Sequence, residues 1–163
     1  MKQIFESERI RFVSVSESLI QDYLVLMNDF DNVQKYINRT HTIREPVTAE
    51  QEIQWVRKKL AENALVFSMI EKKTGAFIGN AEWMDADQSS GELGIAITAA
   101  KQNLGYGTEA VSAMIRYGVE QLGLRRLFLR ANPQNARALH VYEKCGFREY
   151  QRTDDHVFME FVR

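Results

Sequence analysis

The sequence predicts an α/β chain of the α+β type, in which one mixed β-sheet of about seven strands is flanked by about four helices. Three observations predict it. Alternating polar and apolar residues in "RIRFVSV", Arg9 to Val15, mark a strand with one buried face. The stretch from Leu65 to Ile97 reads as three successive strands. Beyond it, the apolar spacing changes to a helical one and back, as a helix between two strands requires.

After the first strand, Leu19, Tyr23, Leu26, Met27 and Phe30 recur at helical steps, so one side of a first helix can pack on a sheet. Asp31 to Val47 is polar, contains Pro46 and has no period, as a short-helical or mobile connection would. Thr48 then opens a helix: its hydroxyl can accept from the amide three residues on while Gln51 reaches back, and Ile53, Trp55, Val56 and Leu60 give an apolar side. "LVFSMIEKKTGAFIGNAEW", Leu65 to Trp83, reads as a hairpin, which "GELGIAI", Gly91 to Ile97, extends. From Thr108, the positions Val111, Met114, Ile115, Gly118 and Leu122 share one helical face, and Gly123 is placed to end it in a left-handed conformation. "RLFLRA", Arg126 to Ala131, is the next strand. A short helix covers Ala136 to Lys144 and ends at Gly146, and two strands follow, about Arg148 to Thr153 and His156 to Val162.

Length and composition narrow the function. A chain of 163 residues fits one domain, 1–163, with a core that needs no staples. The lone Cys145 excludes an internal disulfide framework and a cysteine-based zinc site, and Met1 to Ile10 lacks a signal-like pattern, so a cytoplasmic location is expected. No apolar run approaches the ~20 residues of a membrane helix, so no membrane partner is expected. Formal charge is −1 and basic residues are scattered beyond pairs such as Lys58-Lys59 and Arg125-Arg126, which argues against a nucleic-acid partner. His41 and His156 have no ligand-spaced partners, so no metal is expected.

The chemistry concentrates in "KQNLGYGTEA", Lys101 to Ala110, where two glycines stand between a strand and a helix. The first amides of a helix have no intrahelical partner, and Gly105 and Gly107 would let an anion approach them. A plain tight turn would use the same residues. No Walker-type G-x-x-x-x-G-K-[ST] string occurs. "GYGTEA" satisfies a dinucleotide fingerprint, but the next strand leads into "RANPQN" with no acidic ribose partner.

"QNLGYG", Gln102 to Gly107, resembles the Q/R-x-x-G-x-G/A acyl-CoA loop of the GCN5-related N-acetyltransferases. "NPQNARALHVYEKCGF", Asn132 to Phe147, resembles a second segment of that family in the expected order, and "ESERIRFVSV" and "TGAFIGNAEW" resemble its ribosomal-protein N-terminal, RimJ/RimL-like, branch. The resemblance implies a centrally splayed sheet with the pantetheine arm of acetyl-CoA, the expected co-substrate, between Leu93–Ile97 and Leu127–Ala131. Leu93, Ile95, Ala96 and Ile97 would lie along it, with a main-chain amide near Ile95 or Ala96 meeting the developing oxyanion. The amides of Leu104, Gly105, Tyr106, Gly107 and Thr108 would hold the diphosphate, with Gln102, Asn103, Asn132 and Asn135 beside it. Asn135 can also cap the helix that follows.

The resemblance further implies Tyr142 as general acid to the departing thiolate and Glu92 as general base to the amine, which is otherwise protonated at neutral pH. A bare water chain is the alternative to Glu92, and a buried structural aromatic the alternative for Tyr142. Cys145 and His140 lie five residues apart on a helix, which separates them and disfavours a covalent acyl-enzyme. Asp29, Asp31, Asp85 and Asp87 are candidates for an acidic rim around the acceptor, and Trp83 for its wall or the core. The implied activity is acetyl transfer to a protein or peptide α-amine. A small-molecule amine is the alternative, as is a non-catalytic acyl-CoA sensor. Homodimers are frequent in the family.

Overall fold

The computed structural model describes residues 1–37 and 45–162. Among them, strands β1 (Gln3–Glu6), β2 (Ile10–Ser14), β3 (Val66–Glu71), β4 (Phe77–Met84), β5 (Ser90–Ile97), β6 (Arg126–Ala131), β7 (Phe147–Arg152) and β8 (Val157–Phe161) form one sheet in the order β1-β2-β3-β4-β5-β6-β8-β7. The helices are α1 (Ile20–Asn28), the single turn α2 (Lys35–Ile37), α3 (Ala49–Ala61), α4 (Tyr106–Glu120) and α5 (Ala136–Lys144). Thr48 and Gln51 form the expected reciprocal cap of α3, at 2.9 and 3.2 Å.

Two features depart from the sequence reading, and a third extends it. Strand β1 makes the count eight, because its single inward side chain, Phe5, is recognisable only through partners far along the chain: it stacks on Phe12 at 4.2 Å and on Tyr117 at 4.3 Å. Helix α4 begins at Tyr106, two residues before Thr108. The last hairpin folds back so that β8, rather than β7, lies beside β6.

The sheet is covered on both faces. Phe12, Phe67, Met69 and Ile78 pack with Ala110, Val111 and Met114 of α4, whereas Val13, Val66, Ile70 and Phe77 pack with Tyr23 and Leu26 of α1 and Val56 of α3. Strand β3 is therefore buried along its whole length, its alternate residues serving opposite cores. Its one small polar residue, Ser68, is satisfied by Tyr23 Oη at 2.6 Å and donates to Asn80 Oδ1 at 2.8 Å.

The functional consequence lies between β5 and β6. Strand β5 pairs with β4 from Glu92 to Ile97, yet its parallel pairing with β6 is confined to Ser90↔Arg126, Gly91↔Leu127 and Glu92↔Phe128. Beyond that point β6 pairs only toward β8, so the two strands part and the sheet is splayed at its centre, as the sequence resemblance implied.

Glu71, at the end of β3, ties this sheet to the loop ahead of α4. Its carboxylate accepts from Lys101 Nζ at 2.8 Å, Tyr106 Oη at 2.6 Å and Thr74 Oγ1 at 2.8 Å, and these donors hold its pKa down to about 2 against an ordinary 4.5. The folded-state value is depressed, so the stabilisation is complete above about 4.5 and is lost as pH falls toward about 2, where the unfolded chain binds the extra proton. The thermal midpoint is expected to drop across that acid window. Glu71→Gln should flatten the drop, as a pH series of thermal unfolding curves would show.

Candidate active site

Strand β5 ends at Ile97, and a turn of 3-10 helix, Ala99–Lys101, delivers the chain to the glycine loop. Gly105 takes φ +84 as the residue preceding α4, a left-handed geometry suited to glycine, and no side chain caps the helix. The first helical bond runs from Glu109 N to Gly105 O, leaving the amides of Tyr106, Gly107 and Thr108 without intrahelical acceptors.

The loop is fixed from behind. Arg9 donates from Nη1 to Leu104 O at 3.0 Å and from Nε to Glu109 Oε1 at 2.7 Å, and its guanidinium lies 4.2 Å above the Tyr106 ring. Glu109 also accepts from the Arg9 amide and the Ser7 hydroxyl. Gln102 Nε2 donates to Ile97 O at 2.9 Å and Asn32 O at 3.2 Å, so its amide braces the loop.

Two cavities open on the parted strands. The smaller, about 250 Å³, is walled by Ile97, Gln102, Asn103, Gly105, Gly107 and Thr108. The larger, about 740 Å³, is walled by Glu52, Asn80, Glu82, Leu93, Gly94 and Asn132, among others. Ile95, Ala96, Asn135 and Tyr142 line both, so the cavities adjoin there. Asn135 Oδ1 meanwhile accepts from Ala138 N at 3.3 Å and caps α5.

Three of the expected site residues line neither cavity. Leu104 is exposed and contributes its carbonyl to Arg9; the Tyr106 ring is buried with its hydroxyl on Glu71. Glu92, expected as the base, is the third. It is buried, and Arg130 grips it with two bonds, Nε to Oε2 at 3.1 Å and Nη2 to Oε1 at 3.2 Å. A carboxylate held this way ties β5 to β6 beside the fork of the sheet.

A different carboxylate, Glu82 on the neighbouring strand, lines the larger cavity. Strand β4 alternates, sending Trp83 into the core and Asn80, Glu82 and Met84 toward the larger cavity. Desolvation pushes the Glu82 carboxyl above its ordinary value; Lys59 opposes the shift, and Glu92 and Asp85 reinforce it. Gly94 leaves room for both cavity-facing neighbours: a Cβ there would lie 2.9 Å from Met84 Cε and 3.3 Å from Glu82 Cγ. The alternation in "FIGNAEWM" was readable, but not which face a cavity would occupy.

Tyr142 stands where the cavities join. Burial, with a smaller contribution from Cys145, raises its hydroxyl to about 12, and that hydroxyl makes no hydrogen bond among the described residues. Cys145 Sγ packs 3.6 Å from Ser112 Oγ, and His140 is exposed. His156 borders the larger cavity, and His41 lies outside the described residues. Asp29, Asp31, Asp85 and Asp87 line neither cavity; Asp29 and Asp87 bond to nearby turn amides instead.

This architecture agrees with the comparisons to known proteins. The acetyltransferase (GNAT) domain profile matches residues 9–148, and the chain belongs to that family of acetyltransferases. The uncharacterized N-acetyltransferase YnaD of Bacillus subtilis (strain 168) is 29% identical over 118 residues, 72% of this chain and 66% of that one. The chain thus matches just under two thirds of that relative's length. Spermidine N(1)-acetyltransferase of Vibrio cholerae (strain N16961) is 25% identical over 138 residues, covering 83% of this chain and 75% of that one. Among solved structures, Vibrio cholerae spermidine N-acetyltransferase in complex with CoA and spermine superposes with a TM-score of 0.81 at 20% identity, covering 95% and 96% of the two chains. A Vibrio cholerae protein provisionally assigned as a ribosomal-protein-serine acetyltransferase gives 0.75 at 20%, covering all of both chains. These likenesses in structure are likenesses of fold.

Gly107 isolates the role of the loop. It lies inside α4, and a Cβ there would meet nothing closer than Ile97 Cδ1 at 3.6 Å, so packing does not require glycine. Gly107→Ala is expected to keep or raise the thermal midpoint, since alanine favours helix by up to ~1 kcal/mol. The same change should weaken CoA binding roughly tenfold or more by obstructing the amides. Calorimetry with CoA beside thermal unfolding checks both.

Proposed function

We propose that the protein transfers an acetyl group from acetyl-CoA to a primary amine by direct attack within a ternary complex. The observation that carries this reading is the junction of the two cavities at Tyr142, inside the gap where β5 and β6 part. The smaller cavity, with its uncapped helix start, suits a diphosphate. The larger has the size of a small-molecule site and carboxylates for a cationic amine.

Acetyl-CoA supplies an activated acyl group, whose C–S bond breaks as the amine nitrogen forms a C–N bond. The amides of Tyr106, Gly107 and Thr108 hold the diphosphate, and the unpaired edge of β5 from Leu93 to Ile97 aligns the arm. Glu82 takes the ammonium proton, for which a carboxyl raised by desolvation is better matched than an ordinary one. A main-chain amide near Ile95 or Ala96 meets the negative charge on the acyl oxygen. Tyr142, protonated throughout the neutral range, donates to the departing sulfur and recovers a proton released from the new amide nitrogen.

For the acceptor, the carboxylate-lined cavity and the 25% identity to a spermidine acetyltransferase favour a small cationic amine. A protein or peptide α-amine is the second reading, favoured by the resemblance of the opening strand and the hairpin to the ribosomal-protein branch. Thiol release from acetyl-CoA across amines and N-terminal peptides separates the two, and CoA binding without thiol release from any amine or peptide would exclude both.

Tyr142→Phe removes only a hydroxyl that makes no hydrogen bond among the described residues, so folding and CoA affinity should be unaffected while kcat falls roughly 10²-fold. Glu82→Gln should lower kcat by a similar factor and remove the rise in kcat/KM attributable to its deprotonation. Steady-state kinetics against pH checks both variants.

A further inference from the structure

The helical side of the larger cavity carries two hydrogen-bond acceptors that lack donors among the described residues. Glu52, in the first turn of α3, is 5% exposed, and no hydrogen bond or ion pair reaches its carboxylate among the described residues. Gln34, also 5% exposed, donates from Nε2 to Met27 Sδ at 3.6 Å and leaves Oε1 with no partner among the described residues. Both residues line the same cavity as Glu82. Burial alone pushes the Glu52 carboxyl up. The guanidinium in the cavity wall, Arg130, is already engaged by Glu92.

Buried polar atoms are ordinarily bonded, and here the missing partners must both be donors. A hydroxyl or neutral amide could serve one of them. An ammonium group brings up to three N–H donors and the positive charge that a desolvated carboxylate requires. We propose that Glu52 and Gln34 Oε1 form a subsite for a second ammonium group of the acceptor, which is therefore a linear diamine or polyamine. Its reacting nitrogen lies at Glu82 and Tyr142, and its distal nitrogen at the helical wall. A peptide N-terminus, with one ammonium followed by neutral amides, leaves that wall unanswered. The identity of the reacting nitrogen rests on the acetyl-transfer reading above; the distal cation site does not.

The test pairs turnover with binding on the full chain. With acetyl-CoA, α,ω-diamines of four to eight carbons are compared with monoamines of equal length, and 1,8-diaminooctane is titrated calorimetrically into the protein alone. A desolvated charge-assisted contact predicts a kcat/KM advantage of roughly 10- to 100-fold for the best diamine. In Glu52→Gln the advantage should collapse toward unity and the calorimetric affinity should fall by a like factor. The thermal midpoint of this variant reports its folding, and Gln34→Leu carries the same two readouts if it fails to fold. Diamine binding lost in Glu52→Gln without turnover in either protein would support the subsite and sink the acetyl-transfer reading. Equal rates for diamines and monoamines, an unchanged ratio in Glu52→Gln, or faster turnover of N-terminal peptides than of any diamine would overturn the subsite.

Discussion

The pairing of Glu92 with Arg130 sits where the sheet divides. Glu92 is the last β5 residue in register with β6, and Arg130 lies two residues beyond its partner Phe128, so the bidentate contact bridges the strands just as their backbone ladder ends. The two ends of the contact are not equivalent. The Glu92 side chain is 5% exposed and that of Arg130 37%, so the guanidinium can be rehydrated if left alone while the carboxylate cannot. The pair thus fixes the point of parting and hence the width of the gap into which both cavities open.

Preorganisation of the loop follows the same economy of partners. Arg9, Glu109, Glu71 and Lys101, none of which lines the smaller cavity, brace the loop through scaffold and loop backbone, and Gln102 braces it from the cavity wall. The amides at the head of α4 remain free on the side facing it. The conformation a diphosphate needs is therefore held by contacts the ligand does not have to make, which lowers the ordering cost of binding.

What the sequence made legible was local. The Thr48–Gln51 cap could be read because both members lie within three residues, and helix α5 begins and ends as expected because Asn135 and Gly146, with φ +107, punctuate it. The glycine loop was legible for the same reason. Strand β1 was not, since the burial of Phe5 depends on Tyr117, more than a hundred residues away. The pairing of Glu92 was hidden likewise, because its partner Arg130 lies 38 residues on. Glu52 left a trace: it stands one helical turn before the fully buried Val56, on an apolar face where an unpaired charge has no packing purpose.

Four of the buried or half-buried carboxylates of the site region divide by partner. Glu71 and Glu92 each accept two or more hydrogen bonds from side chains, and both join elements: strand to loop in one case, strand to strand in the other. Glu52 and Glu82 have neither hydrogen bond nor ion pair among the described residues, and both face the larger cavity. Desolvating a carboxylate without compensation opposes folding, and nothing in the packing around these two recovers the cost. A sequence selected for stability alone would place glutamine or an apolar residue there. Their retention as acids is understandable if the compensating charge arrives with the substrate, so that the polarity of the cavity is completed only in the bound state.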